Sequence, residues 1–210
     1  MSIRVLVACE YSGVVRDAFL RRGARAVSCD LLPSESDFGE HYQGDVLDVI
    51  DDGWDMMIAH PPCTYLSCAG NAWLSSSGRQ EKRAAAFSFF MQLAEADIDK
   101  ICVENPVGYP NLHWRKPDQI IHPYYFGDCQ LKRTCLWLKN LPCLVPTMLM
   151  VRPQPISFTP SSNHARYFTD SCLGKDRAKL RAKFFVGVAE AMAEQWLQEG
   201  SITMQMVDNT

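Results

Sequence analysis

No CxxC pair occurs among the nine cysteines, and the five histidines are scattered along the 210 residues. That spacing gives no basis for a structural zinc site, and no metal is expected. The cysteine number is odd, and Cys9, Cys29, Cys63 and Cys102 sit in or beside apolar runs, which argues against a disulfide framework. No run approaches the roughly 20 apolar residues that a membrane span needs. The opening MSIRVLVACEYS lacks a charged-then-apolar leader with a cleavage site. The expectation is a cytosolic chain with free thiols and no membrane contact. An excess of charge is missing too: 21 Lys and Arg against 24 Asp and Glu give a formal net charge of -3. Nothing global draws this chain to nucleic acid, so any DNA contact must come from a local basic patch.

What is present is ordinary globular composition, 47% hydrophobic and 21% charged, in a length that suits one domain with a real core. Two patterns alternate through the first half. Residues 3–9 form a short apolar run of buried-strand type, and residues 14–22 follow with helical spacing. Arg25–Asp30 reads as a second strand ending on an acid. After a polar stretch come residues 41–49 and then the apolar run 54–59, which stops at Pro61-Pro62. Residues 79–96 predict an amphipathic helix, and residues 100–103 a strand that stops at Pro106. Strands separated by helices predict an α/β, Rossmann-like, doubly wound and mostly parallel sheet with function at its carboxyl edge. In the second half, residues 120–126 and 133–138 predict a hairpin-like strand pair at the sheet edge. Residues 151–172, rich in Pro, Ser, Thr and Asn, read as a long loop, and residues 175–197 as a closing helix.

The chemistry concentrates in Ala59-His60-Pro61-Pro62-Cys63-Thr64. A strand ends, two prolines stiffen the backbone, and a cysteine is presented where open α/β sheets keep their ligands. A thiolate is strongly nucleophilic and also leaves readily, which suits conjugate addition. A buried structural thiol after a proline turn is the competing reading of Cys63. Val103-Glu104-Asn105-Pro106 ends the next expected strand, so a parallel sheet brings Glu104 out beside the Cys63 loop. A thiol and a carboxyl at one sheet edge match what a pyrimidine needs: attack at C6, and an acid that protonates or hydrogen-bonds N3. The pairing tips both residues toward function.

PPC followed by ENP, after a strand–loop–helix start, resembles the DNA cytosine-5 methyltransferases. More narrowly, nearly the whole chain resembles small methyltransferase-like proteins of phages and prophages. The resemblance implies the S-adenosylmethionine (AdoMet)-dependent methyltransferase type of sheet, with AdoMet as cofactor and cytosine in DNA as substrate. It implies Cys63 as nucleophile and Glu104 as its acid partner. On the cofactor side it points to Glu10, Tyr11 and Gly13 in the turn after strand one, with Gly13 the single glycine there. It also points to Asp30 and Leu31, with the Asp30 carboxylate on the ribose hydroxyls, to Asp45 and Val46, with Asp45 on the adenine amino group, and to Pro61. Pro62 and Asn105 fall to the substrate. A Gln-x-Arg-x-Arg segment of the family finds its nearest match in Gln130-Leu131-Lys132-Arg133. Gln130 and Lys132 are thereby candidates for the substrate and Arg133 for catalysis. Residues 185–190 resemble the family's last motif, beside the cofactor.

This implies one domain over residues 1–210: an AdoMet-binding half over 1–60, a catalytic half over 61–138, a long loop over 139–173 and a closing helix over 174–199. The loop stands where full-length family members carry a large target-recognition domain. Enzymes that act on duplex DNA must extrude the base, so the expectation is relaxed sequence choice, or a partner protein that supplies recognition. Lys175, Arg177, Lys179, Arg181 and Lys183 form the remaining basic cluster, which also reads as a solvated helix face. A free pyrimidine nucleotide as substrate, transfer of another group, and a binding protein without turnover stay open beside the leading reading.

Overall fold

The computed structural model describes residues 2–68, 78–158, 165–167 and 184–205, with side chains at all of these except 165, 166 and 199–205. Strands β1 (Arg4–Ala8), β2 (Arg25–Asp30), β3 (His41–Gln43), β4 (Met56–Ala59), β5 (Lys100–Pro106), β6 (Gln119–Ile121) and β7 (Thr134–Lys139) form one sheet in the order β3-β2-β1-β4-β5-β7-β6. The first five pair in parallel, whereas β7 runs antiparallel to β5 and to β6. The chain winds outward from β1 to β3, then crosses to β4 on the other side of β1. That reversal sits between β1 and β4, and it opens a crevice at their carboxyl ends. The expected α/β, doubly wound, mostly parallel sheet is the fold observed.

Period-two alternation divides β1 between two cores. Val5 and Val7 face one layer, Leu6 and Ala8 the other. On the first face the sheet packs against α1 (Val14–Arg21) and α4 (Val186–Gln205), whose Phe19, Val188, Met192 and Trp196 are fully buried. On the second it packs against α2 (Arg79–Ala94), with Phe90 and Leu93 buried against Trp137. A short helix α3 (Tyr109–His113) follows β5. Among described side chains, Arg21 and Arg22 tie α1 to α4 through Glu190.

The second half departs from expectation in three places, one of them the closing helix expected over 174–199: residues 184 and 185 are not helical, and α4 runs Val186–Gln205. Residues 120–126 do not continue as a strand. β6 ends at Ile121, and Pro123–Tyr125 forms a 3-10 turn, because proline has no N–H for a ladder and its ring fixes φ at a turn-compatible value. The long loop holds structure as well, since β8 (Ser157–Phe158) pairs antiparallel with β9 (Ala165–Arg166). The basic cluster from Lys175 to Lys183 lies outside the described residues.

Candidate active site at the carboxyl edge of the sheet

α1 begins where Gly13 adopts φ 74°, a left-handed conformation that suits glycine. The carboxylate of Glu10 accepts hydrogen bonds from the backbone N–H groups of Val15 (2.7 Å) and Arg16 (3.2 Å) and from the Ser12 hydroxyl (3.1 Å). Glu10 therefore caps the helix, satisfying two N–H groups that would otherwise be orphaned. A side chain at Gly13 would collide with the Arg16 guanidinium and with Ser36. Arg16 is fully buried. It pairs with Asp17 (2.7 Å) and donates to the Ser28 hydroxyl (3.0 Å) and the Ser36 carbonyl (3.0 Å), which pins residues 31–40 over the ends of β1 and β2.

Beside that pinned loop lies a cleft of about 230 Å³, lined by Cys9, Cys29, Asp30, Leu31, Gly44, Asp45, Val46, Pro62 and Phe89. Five of the residues expected at a cofactor or substrate line it: Asp30, Leu31, Asp45, Val46 and Pro62. Glu10, Tyr11 and Gly13 do not, and Pro61 is buried just behind Pro62. Leu31 is 73% exposed at the mouth, an apolar surface facing solvent. Asp30 accepts from the Leu32 N–H (2.9 Å), and Asp45 from the Leu47 N–H (3.0 Å), so each carboxylate is oriented by its own turn. Burial first, then the charges of Asp30 and Asp45, pushes the Cys29 thiol up to about 11; Cys9 is raised further by the same causes. Both are therefore unreactive thiols at neutral pH.

Cys63 follows Pro62 immediately, and it is exposed. The turn after it is closed by bonds from the Leu66 and Ser67 N–H groups to the Cys63 carbonyl (3.1 and 2.9 Å). Two arginines of α2 hold the same loop: Arg83 donates to the Tyr65 carbonyl (2.9 Å) and Arg79 to the Thr64 carbonyl (3.4 Å). From the β5 side, Tyr109 N–H reaches the Leu66 carbonyl (2.6 Å), and any side chain at Gly108 would strike that carbonyl.

The PPC and ENP motifs are joined directly. Asn105, 1% exposed, donates from Nδ2 to the Pro61 carbonyl at 2.7 Å. His60 Nδ1 lies 3.3 Å from Glu104 Oε2. Glu104 does not stand at a loop edge, as expected from the sequence, but within β5 at 7% exposure. Burial pushes its carboxyl up, but the hydrogen bond from His60 and the charges of Lys132 and His60 outweigh it. The net shift is below the usual glutamate value, so Glu104 is a carboxylate at neutral pH. Three buried polar atoms here have no hydrogen-bond partner: His60 Nε2, Glu104 Oε1 and Asn105 Oδ1. Arg79 Nε, His122 Nδ1 and Gln130 Oε1 are the other such atoms among the described residues. Buried polar atoms are ordinarily paired, so a cluster of orphans marks a place where a polar ligand belongs.

Lys132 bears on Glu104 electrostatically and lies 5.6 Å over the ring of Phe185. Arg133 is exposed, and its charge acts instead on His122 and Cys135. Sequence reasoning assigned no role to His60, although a titratable residue between an apolar strand and two prolines was a readable signal. Phe184, packed 4.6 Å from the His60 ring, has no comparable signature. No group of three or more His, Cys, Asp or Glu among the described residues could hold a metal ion. No helix among them is long and apolar enough to cross a membrane.

No family model matches the chain, and no curated protein matches it. Among solved structures it is similar to a protein named as a candidate DNA modification methyltransferase encoded within a prophage (E. coli), at 15% identity and a TM-score of 0.49. The match covers 73% of this chain and 53% of that one, so this chain spans about half that protein's length. A likeness of that degree decides nothing about activity.

Proposed function

We propose that this chain is an AdoMet-dependent C5-methyltransferase that acts on cytosine in DNA through a covalent bond between Cys63 and C6 of the ring. The observation that carries the reading is the double link between the two motifs, His60 to Glu104 and Asn105 to Pro61, beside a cleft that ends at Pro62. An exposed thiol, a buried carboxylate and an adjoining cleft meet at one sheet edge, and the reaction needs all three.

The cleft fits AdoMet by its donor set. Asp30 and Asp45 present carboxylates suited to ribose hydroxyls and to an adenine amino group, and Leu31, Val46, Pro62 and Phe89 present apolar surface for the adenine faces. When bound there, AdoMet supplies an electrophilic methyl group. Cys63, as thiolate, forms the S–C6 bond, and the electrons of the C5–C6 double bond move into the ring toward C5 and N3. Glu104 accepts a hydrogen bond from the exocyclic amino group, and as negative charge develops on the ring N3 takes a proton from water and donates the new N–H to the same carboxylate. Once C5 carries the methyl group, its proton passes to water and the Cys63 thiolate leaves, which restores the double bond. The charge of Lys132 helps keep the Glu104 carboxylate ionised.

The lowered Glu104 carboxyl also favours a second reading, in which the ring is of uracil type and brings its own N3–H to the carboxylate, as in a free pyrimidine nucleotide. Intact-mass analysis separates the two. The protein is incubated with AdoMet and either 5-fluorocytosine DNA, 5-fluoro-dCMP or 5-fluoro-dUMP, since fluorine at C5 blocks the final elimination. The leading reading expects an adduct with the DNA, lost in Cys63→Ser. An adduct with 5-fluoro-dUMP alone supports the second, and none with any probe rejects both.

A further inference from the structure

We propose that His60 is a positioning residue for Glu104: through Nδ1 it holds one carboxylate oxygen in place and reserves the other for the substrate ring. The inference rests on the pyrimidine methyltransferase reading above, and it adds a residue to that site.

Several observations converge on it. A carboxylate is acceptor-only, so the 3.3 Å contact between His60 Nδ1 and Glu104 Oε2 requires the proton on Nδ1. The ring's other nitrogen, Nε2, is one of the buried atoms without a partner. Oε1, the other oxygen of Glu104, is also buried and unpartnered. One oxygen of the pair is thus fixed and its twin is held in reserve. The backbone on either side of His60 is immobilised. Its own N–H donates to the Ala8 carbonyl (2.9 Å), and the next residue, Pro61, receives Asn105 Nδ2. Phe184 fixes the ring face at 4.6 Å between centroids. A ring held at backbone and face, with one nitrogen committed to a buried carboxylate, is built to orient that carboxylate.

Other groups act on Glu104 from each neighbouring element. Lys132 lies before β7 and lowers the carboxyl, while Glu104 itself raises the Cys102 thiol on β5 and the Cys135 thiol on β7. Burial opposes ionisation throughout. Removing His60 takes away the largest influence that keeps Glu104 ionised, so its carboxyl should titrate higher.

Two substitutions discriminate a specific hydrogen bond from general packing. His60→Asn does not fill the ring's volume, yet it brings an amide nitrogen near the place of Nδ1, whereas His60→Leu keeps the volume and has no donor. The test therefore compares His60→Leu with His60→Asn, in the full chain. Single-turnover methyl transfer to cytosine DNA should fall on the order of 10²-fold in His60→Leu, with the apparent KM for AdoMet unchanged. His60→Asn should recover most of that loss. A second readout needs no activity: carbon-13 NMR of labelled glutamate should show the Glu104 titration moving upward in His60→Leu and returning toward wild type in His60→Asn. Circular dichroism checks folding, and if His60→Leu fails to fold, His60→Asn against His60→Gln gives the same contrast. Wild-type kcat in folded His60→Leu overturns the proposal, as does a Glu104 titration that does not move. If wild-type protein itself transfers no methyl group to any pyrimidine, the functional reading fails while the titration still decides whether His60 governs Glu104.

Discussion

Asp30 and Asp45 enter the cleft by the same device, a carboxylate whose first oxygen is tied to the N–H two residues on. The tie costs little and fixes direction, leaving the second oxygen for a ligand. Asp30→Ala should weaken AdoMet by roughly 1.5–3 kcal/mol, the worth of hydrogen bonds to a charged group, as read by isothermal titration. The same substitution removes a charge that raises the Cys9 and Cys29 thiols, so alkylation of Cys29 at alkaline pH should quicken. Unchanged affinity would remove Asp30 from the cofactor site. Glu10 belongs to a different class despite its place in the same turn. Its oxygens are taken by the start of α1, and Glu10→Ala should act on stability by about 0.5–2 kcal/mol, the usual worth of a cap, with little direct effect on binding. The sequence could not distinguish these acids, because a strand-end carboxylate looks the same whether it faces a ligand or a helix N-terminus.

The loops at the carboxyl edge are held by elements that do no chemistry themselves. Arg16 is the clearest case, a fully buried guanidinium from α1 that fixes residues 31–40. Arg16→Leu leaves the Asp17 carboxylate with the Ser36 hydroxyl but without its cation, and should cost about 3–5 kcal/mol in urea unfolding. A loss under about 1 kcal/mol, the size of an exposed pair, would mean the network is dispensable. Gly108 plays the equivalent part behind Cys63. Gly108→Ala pushes on the Leu66 carbonyl, three residues from the thiol. Methyl transfer should fall on the order of 10²-fold, more than the change in Tm explains, because sub-ångström placement of a nucleophile matters to its rate. Elements in the first half were legible because short apolar runs bounded by Gly, Pro and Asp leave few alternatives: β2 spans Arg25–Asp30 as expected and α2 begins at Arg79. The second half was less so. The aromatic run 123–126 has strand composition, but Pro123 and the contact of Met148 and Met150 N–H groups with the Tyr125 and Tyr124 carbonyls (3.2 and 2.8 Å) hold it as a turn. Those partners lie more than twenty residues away, where local pattern carries no information.

At the scale of the whole molecule, two carboxylates link the site and the helix layer to pH. Glu104 is lowered chiefly by His60 against the effect of burial, and Glu190, which joins α4 to α1, is lowered by Arg22 and Arg21 against the same effect. An acid whose folded pKa lies below its unfolded value, about 4.3 for glutamate, contributes stability above that value and loses it as pH falls through the folded pKa. Urea midpoints should therefore hold from about pH 7 to 5 and drop below about pH 4, with a smaller drop in Glu190→Gln. Asp128, raised by burial, works the opposite way and softens the decline. The architecture that brings PPC beside ENP follows from parallel pairing of β4 with β5, and was legible from strand–helix alternation. The His60–Glu104 contact was not, because it depends on how far Glu104 is drawn into the sheet. The most direct test of the account is single-turnover methyl transfer to cytosine DNA by Cys63→Ser and Glu104→Gln, each checked for folding by circular dichroism. Cys63→Ser should give no product, and Glu104→Gln should be slower on the order of 10²–10⁴-fold. Wild-type turnover in folded Cys63→Ser would make this cysteine structural and contradict the mechanism.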